Sequence, residues 1–292
     1  MAVAEPYIAL PPTRGLRKLQ RVRSMTGRLS IGELAGLSSF FLLVLVAVLA
    51  PVIAPHGPII PAGSPFTPPL HGGYLFGTDE VGFDIFSRVL YGLRASLIAA
   101  AAVIASGVVF GGAIGLVAGV SGGFLDNVLM RFTDLFLALP GPVLAIAVVA
   151  ALGPSFTHTL IGVAIVWWPF YARIVRAEVR ALAARPHLEA ARLAGSSAMR
   201  RAFRHLLPGA IPAVVVTASL DVGNLVVTLA SLSFLGLGAP APAPELGAMA
   251  ARGLQYLLQE WWVPIMPGVA VFLLALCANL AGDALRTTFG DR

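Results

Sequence analysis

Arg185-Pro-His-Leu-Glu-Ala-Ala-Arg-Leu-Ala-Gly195 is a polar stretch between two long apolar segments. A proline in the first turn and a glycine just past the end are typical of a short helix. Glu189 falls in the first turn, where the positive end of the helix dipole stabilises a carboxylate. Ala190 and Ala191 have small side chains, so another surface can approach them closely. The stretch predicts a short capped helix, and these features alone favour an ordinary link over a lever moved by a partner.

The segments around this stretch predict an all-α integral membrane protein. Of the 292 residues, 58% are hydrophobic and 12% are charged, whereas soluble domains carry roughly 25% charged residues. A bilayer-spanning helix needs about 20 mostly apolar residues, and six segments qualify. The predicted spans are Leu34–Ala54, Ala95–Val120, Val128–Leu152, Thr159–Val179, Gly209–Gly236 and Val263–Leu285.

The distribution of basic residues predicts the orientation of these spans. Arg and Lys accumulate on the cytoplasmic side of a membrane. If the N-terminus is inside, the inner segments hold 17 of the 20 cations. These segments include the tail of residues 1–33, the loop of residues 180–208 and the C-terminal residues 287–292. Both termini are therefore predicted to be cytoplasmic, and the basic charge indicates membrane topology rather than nucleic-acid binding.

Residues 55–94 are predicted to form an external loop with an amphipathic helix. The loop begins with many prolines and glycines, which favour extended structure. Thr78-Asp79-Glu80 is typical of a helix start, because a hydroxyl cap and acids in the first turn stabilise a helix N-terminus. The apolar side of this helix would be formed by Val81, Ile85, Val89, Leu90 and Leu93. The helix would lie at the outer membrane surface or pack on another subunit, and both placements fit the pattern.

Small and rigid residues predict how the spans pack and bend. A glycine recurs every fourth residue in the second span, and such a row lets two helices approach closely. The row consists of Gly107, Gly111, Gly115 and Gly119. Leu139-Pro-Gly-Pro142 and Trp168-Pro169 are predicted to kink spans three and four, because proline removes a helix hydrogen bond. The tryptophans fit interfacial anchors; they are Trp167, Trp168, Trp261 and Trp262.

The polar stretch and its continuation resemble a known motif. Glu189-Ala190-Ala191, Gly195 and His205-Leu206-Leu207-Pro208 resemble, in order and spacing, the EAA loop of ATP-binding-cassette (ABC) importer permeases. Four further blocks resemble dipeptide and oligopeptide permeases of the C-subunit type: residues 76–88, 121–131, 232–238 and 279–286. Two positions depart from that pattern: Phe83, where the family usually has arginine, and Leu229, where it often has glutamate.

This resemblance implies the fold, the partners and the cargo. It implies a type I ABC importer permease in the bacterial inner membrane, with residues 95–286 as a five-helix core. It also implies a second homologous permease as a heterodimer partner, two ATP-binding subunits that hold ATP and magnesium, and an extracytoplasmic substrate-binding protein. Dipeptides or oligopeptides are the expected cargo, with nickel chelates and glutathione as alternatives. The residues that would dock on the ATP-binding subunits are Glu189, Ala190, Ala191, Gly195, Leu207 and Pro208.

A polar stripe in the fifth span suggests a route for the cargo. Five polar residues are spaced four, three, four and three apart, which places them on one narrow face of a helix, as a stripe about 21 Å long. They are Thr217, Asp221, Asn224, Thr228 and Ser231. A carboxyl group at bilayer depth is costly if it faces lipid. We therefore expect the stripe to line the translocation path or the seam with the second permease, or else to form hydrogen bonds between helices of this subunit.

The sequence predicts no catalytic site. A phosphate-binding P-loop needs a lysine after its glycines, and the single lysine, Lys18, follows Arg17 instead. The five histidines are scattered and Cys277 is the single cysteine, so no metal site or cofactor is predicted. Two rivals to the permease interpretation remain: a proton-coupled secondary carrier with Asp221 as its proton site, and a membrane scaffold without transport activity.

Overall fold

The computed structural model describes residues 30–290, without the side chains of residues 289 and 290. Most of the predicted basic tail lies outside these residues. Two π-helical turns, Gly107–Gly111 and Ala202–Leu206, and one 3-10 turn, Leu254–Tyr256, occur among the α-helices. The helices are α1 (Ile31–Val48), α2 (Ala50–Ile53), α3 (Ile85–Ser106), α4 (Gly112–Ser121), α5 (Gly123–Leu137), α6 (Gly141–Leu152), α7 (Phe156–Ala183), α8 (Pro186–Leu193), α9 (Ala198–Arg201), α10 (Leu207–Phe234), α11 (Leu246–Gly253) and α12 (Trp262–Gly290).

Helices long and apolar enough to cross a membrane account for the predicted spans. Within residues 30–290 there are five such helices, or six if the bent pair α5–α6 counts as one span. The pair is bent by 81° next to Pro140 and Pro142, so the predicted kink in the third span is confirmed. Pro169, in contrast, lies inside the uninterrupted helix α7.

The first span begins three residues earlier than predicted. Ser30 caps α1: its hydroxyl accepts a hydrogen bond from the Glu33 backbone N–H at 3.2 Å, and the Glu33 carboxylate accepts one from the Ser30 N–H at 2.6 Å. This reciprocal capping box satisfies two backbone donors that would otherwise lack partners. The span therefore starts at Ile31 rather than at Leu34.

The prediction of an amphipathic helix in the external loop is wrong in two respects. The helix does not start at Thr78, and it is not separate from the second span. Helix α3 begins at Ile85, after Asp84 has accepted hydrogen bonds from the backbone N–H groups of Phe86 and Ser87. It then continues through the π turn into α4, so that one 37-residue helix reaches Ser121. Residues 85–93 are thus the first turns of the second span.

Thr78 is not a helix cap because its hydroxyl is used in the loop. The Thr78 hydroxyl accepts a hydrogen bond from the Thr67 N–H at 2.8 Å and donates one to the Ser64 carbonyl at 2.7 Å. The Thr78 carbonyl accepts a third bond, from the indole N–H of Trp262 at 3.2 Å. These contacts between distant residues outweigh the local preference for a helix start.

The glycine row brings the second and fourth spans into backbone contact, as predicted. A Cβ at Gly111 would overlap the backbone carbonyl of Trp168, and one at Gly115 would overlap the carbonyl of Ala172. Both overlaps are with α7. The fourth span therefore packs closely against the second span along the glycine row.

The two ends of the bundle differ in character. The capped end consists of residues 54–84 and 235–261, which fold over the helix ends. The basic end carries the α4–α5 turn, the C-terminal end of α7 and helix α8, together with eight arginines: Arg173, Arg176, Arg180, Arg185, Arg192, Arg200, Arg201 and Arg204. A hydrogen bond of 2.6 Å from the Thr159 hydroxyl to the Leu237 carbonyl ties the start of α7 to the capped end.

A buried arginine holds the capped end together. Arg88 is 2% exposed, and its guanidinium donates a hydrogen bond of 2.9 Å to the Pro58 carbonyl. Its Nε lies 3.7 Å from the carboxylate of Asp79, and its Cζ lies 4.5 Å from the ring centroid of Phe83. Phe83, which departs from the family pattern, thus makes a cation–π contact here.

Helix α11 starts at a buried acid in the same region. The carboxylate of Glu245 accepts hydrogen bonds from the backbone N–H groups of Gly247 and Ala248 at 3.1 and 2.8 Å. Burial raises the pKa of Glu245, and these two hydrogen bonds oppose the rise. The acid serves as a helix cap and does not face an open cleft.

Candidate functional site

Helix α8 at the basic end has the shape predicted from the sequence. Arg185 is its N-cap, Pro186 is its first residue and Glu189 lies in the first turn. Gly195 has a φ of +77°, a conformation that glycine adopts without strain. The Gly195 N–H donates to the Arg192 carbonyl at 3.0 Å and the Ser196 N–H donates to the Ala191 carbonyl at 3.1 Å. This pair of bonds is a Schellman motif, which ends the helix sharply.

One side of α8 is anchored and the other is free. Leu188 is 4% exposed and packs with Val175, Val179 and Leu206. Glu189 and Ala190 are exposed, whereas Ala191 is half-buried. Leu193 is 85% exposed. The helix is therefore attached to the end of α7 by one leucine and presents a mixed acidic and apolar surface.

Further exposed apolar residues extend this surface. Met199 and Phe203, in the turns that follow α8, are 69% and 58% exposed. Together with Leu193 they form what we call the apolar patch. A contiguous exposed apolar surface can mark a binding site, and the neighbouring arginines make this end strongly basic.

The predicted docking residues fall into two groups. Glu189, Ala190, Ala191 and Gly195 lie on α8 or directly after it. Leu207 and Pro208 instead begin α10, after the π turn. A cavity of about 310 Å³ lies beneath α8, and its lining includes Glu189 together with Gly119, Arg192, Arg201 and Leu206.

We expect Gly195→Pro to reduce the uptake that the resemblance implies by about tenfold or more, without affecting insertion. Proline fixes φ near −65° and lacks an N–H, so it can neither adopt the Gly195 conformation nor close the Schellman motif. Gly195→Asn is the matched control, because asparagine tolerates the left-handed conformation. Uptake assays at equal amounts of membrane-inserted protein check this. Equal uptake by both variants would contradict the role of the helix end.

An ion triad joins α5 to the C-terminal half of α7. Asp126 is 1% exposed, and its carboxylate accepts hydrogen bonds from Arg176 at 2.5 and 2.8 Å and from Arg180 at 2.5 Å. Arg180 lies in the last turn of α7, six residues before α8 begins at Pro186. The triad therefore ties the end of α7 that leads into α8 to the first helix of the bent pair α5–α6.

We expect Asp126→Ala to destabilise the protein by about 1.5–3 kcal/mol, the usual contribution of hydrogen bonds to charged groups. The matched control is Asp134→Ala, because Asp134 pairs with Arg173 at the surface, where both side chains are more than half exposed. Such exposed pairs contribute at most about 1 kcal/mol. Thermal unfolding in detergent compares the two variants. An equal loss of stability in both variants would contradict the larger contribution expected of the triad.

The polar stripe of the fifth span borders a cavity within the apolar part of the bundle. Thr217, Asp221, Asn224 and Thr228 all line a cavity of about 590 Å³ between α6, α7, α10 and α12. Ser231 lies outside the lining and donates its hydroxyl hydrogen to the Val227 carbonyl at 2.7 Å. Four of the five stripe residues therefore share one space.

Asp221 also makes hydrogen bonds between helices, which was the alternative expectation. Its Oδ2 accepts from the indole N–H of Trp167 at 3.1 Å and from the hydroxyl of Tyr171 at 2.9 Å. Both donors belong to α7. Asp221 thus faces protein and cavity at once, which meets the requirement that a carboxyl group at this depth avoid lipid.

Several residues of this cavity had no signal in the sequence. Trp167 was expected to be an interfacial anchor and instead binds Asp221. Asn279 of α12 lines the cavity next to Gly223, where a Cβ would collide with the Asn279 amide. In the sequence, Asn279 stood out only as part of the block of residues 279–286 that carries a resemblance. Its contact with Gly223 could not be predicted, because the two residues are 56 positions apart in the chain.

Comparisons with known proteins assign this architecture to a family. The family described as "Binding-protein-dependent transport system inner membrane component" matches residues 111–291. The di/tripeptide transport system permease protein DppC of Pseudomonas aeruginosa is 40% identical, over 87% of this chain and 86% of its own length. The glutathione transport system permease protein GsiD of Pectobacterium atrosepticum is 42% identical, over 72% and 70%.

A solved structure has the same fold. A chain of the MetNI methionine ABC transporter, in an inward-facing conformation, aligns with a TM-score of 0.56 at 22% identity. The alignment covers 70% of this chain and 97% of the other.

Proposed function

Because the chain belongs to the family of binding-protein-dependent transport system inner membrane components, we propose that it forms, with a second permease, the translocation path of an ATP-driven importer of small peptides. The relatives named for peptide transport support this cargo. A relative named for glutathione transport, at 42% identity, makes that tripeptide the second candidate.

The observation that carries this proposal is the free surface of α8. The helix begins at Pro186, ends in the Schellman motif, is held by Leu188 and is exposed at Glu189, Ala190 and Leu193. A short rigid helix with one anchored side suits the transmission of force from a partner. We assign this partner as an ATP-binding subunit that holds ATP and magnesium. Two such subunits would each grip one permease.

The basic end is assigned to the cytoplasm, together with both termini. The excess of arginine at this end supports the assignment, because Arg and Lys are retained on the inner side of the membrane. The capped end then faces outwards, where an extracytoplasmic substrate-binding protein would deliver cargo. The second permease is expected to be a different, homologous chain.

The cavity beside Asp221 is assigned to the translocation path. Its polar lining of Thr217, Asp221, Asn224, Thr228 and Asn279 offers hydrogen-bonding groups at bilayer depth, where such residues usually mark substrate pathways. The adjacent bend of α5–α6 connects this cavity to the ion triad and so to α8. Closure of the ATP-binding subunits would thereby change access to the cavity.

Purification of the native complex tests the proposal. The chain should co-purify in mild detergent with two ATP-binding subunits and one other permease. In proteoliposomes with its binding protein, a dipeptide should stimulate ATP hydrolysis and accumulate inside the vesicles. Uptake that needs a proton gradient and no ATP would favour a secondary carrier and overturn the proposal. Stimulation by glutathione but not by dipeptides would select the second cargo.

A further inference from the structure

We propose that the Asp221 carboxylate binds the α-ammonium group of the peptide cargo during its passage. This inference rests on the proposed function, since it assigns a ligand to the cavity already placed in the path. It makes Asp221 a recognition group for a free amino terminus, and not only a helix-linking residue.

The first argument is that the two carboxylate oxygens of Asp221 differ in their hydrogen bonding. Both donors from α7, the Trp167 indole and the Tyr171 hydroxyl, bind Oδ2. Oδ1 accepts no hydrogen bond from any residue among 30–290. Asp221 is half-buried and lines the cavity. One oxygen is thus fixed by the protein, and the other is available to a ligand.

The second argument is charge. Within the described part of the chain, no Arg, Lys or His nitrogen lies within ion-pair distance of Asp221. The nearest arginines along α7, Arg173 and Arg176, are already paired with Asp134 and Asp126. Ionisable groups at membrane depth normally pair with another charge or with backbone groups. An incoming cation would supply the partner that the protein lacks.

The third argument is the match between the cavity and an ammonium group. An ammonium has three hydrogen-bond donors and no acceptor, and Thr217, Asn224 and Asn279 line the same space as Asp221. Their side-chain oxygens can accept the remaining donors. Trp167 and Phe170 also line the cavity, and aromatic rings attract cations. At about 590 Å³, the cavity lies within the usual range of roughly 300–1,000 Å³ for small-molecule sites.

Photolabelling of the assembled transporter tests this proposal. The probe is a dipeptide with a free amino terminus and a benzophenone side chain, added to the complete transporter with its binding protein in nanodiscs. Label on the binding protein reports delivery, and label on this chain reports occupancy of the cavity. We expect Asp221→Asn to lower the label on this chain at least roughly tenfold at equal label on the binding protein, because a charge-assisted hydrogen bond is lost.

Two further variants separate recognition from structure. Asp221→Glu keeps the carboxylate and is expected to retain more than half of the label. Asp134→Asn makes the same chemical change at an exposed surface pair outside the cavity and is expected to label like the wild type.

A measurement on the wild-type protein makes the test independent of variant folding. The N-acetylated probe is added at the concentration that labels the binding protein equally, and it should label this chain roughly tenfold less than the free amine. Equal labelling by the two probes, or full labelling of Asp221→Asn, would overturn the inference and favour a protonated Asp221. If ATP-driven uptake remains normal in the wild type, the proposed function survives that result.

Discussion

Leu193→Asp is expected to abolish binding of the ATP-binding subunits while the chain still folds and inserts. Leu193 is 85% exposed on α8, so a carboxylate there has full access to water in the isolated subunit. In the complex, the same carboxylate would be buried against the partner without a hydrogen-bond partner, which is costly. We expect co-purification of the ATP-binding subunits to fall more than tenfold, and peptide uptake to fall with it.

Leu258→Asp is the matched control for this prediction. Leu258 is 97% exposed and lies in the capped end, so the substitution has the same chemistry at the opposite end of the bundle. Co-purification of the ATP-binding subunits should be unchanged in this variant. If both variants keep the subunits, the apolar patch is not part of the docking surface; if both lose them, the effect is not specific to α8.

Gly111→Ala is expected to have the largest effect on stability among single glycine substitutions in the second span. The new methyl group would overlap the backbone carbonyl of Trp168, which cannot move without displacing α7. Overpacking of this kind typically costs about 1–3 kcal/mol, and occasionally more. We expect a lower unfolding temperature in detergent and a reduced yield of monodisperse protein by size-exclusion chromatography.

Gly112→Ala provides the opposite expectation one residue away. A Cβ at Gly112 would find Val175 Cγ2 at 3.9 Å, an ordinary van der Waals contact. Alanine in a helix is more favourable than glycine by about 0.5–1 kcal/mol, so this variant should unfold at the same or a higher temperature. Equal destabilisation by both substitutions would contradict the close packing of α7 against the glycine row.

Features set by neighbouring residues in the chain could be predicted from the sequence. Helix α8 depends on Pro186 at its start and Gly195 past its end, both within one short segment. The spacing of the glycine row and of the polar stripe follows from the helical repeat alone. The bend near Pro140 could be predicted in place, although its angle of 81° depends on packing.

Features set by distant residues could not be predicted. The loop hydrogen bonds of Thr78 to Ser64, Thr67 and Trp262 decide that no helix begins there, and no local pattern reports them. The partners of Asp221 are 50 and 54 positions away. The sequence singled out Asp221 because a carboxyl group that faces lipid is costly. Which of its two oxygens is hydrogen-bonded could be seen only in the structure.

The two main proposals, docking at α8 and passage of cargo through the Asp221 cavity, both involve the elements that lie between α8 and the cavity. The anchor at Leu188, the ion triad at Asp126 and the bent pair α5–α6 are contiguous, and the bent pair borders the Asp221 cavity. This is the type I ABC importer permease fold, and we propose that the chain supplies the path and the lever. The energy source would reside in the partner subunits.

The most direct test is photocrosslinking from α8 in intact cells. A photoreactive residue at Ala190, on the exposed surface of α8, should capture an ATP-binding subunit, and one at Leu258 should not. The same α8 position, carrying a cysteine instead, should be protected from a membrane-impermeant thiol reagent added outside the cells. Labelling from outside, or capture of no nucleotide-binding protein from Ala190, would contradict the assignment of α8 as the docking helix.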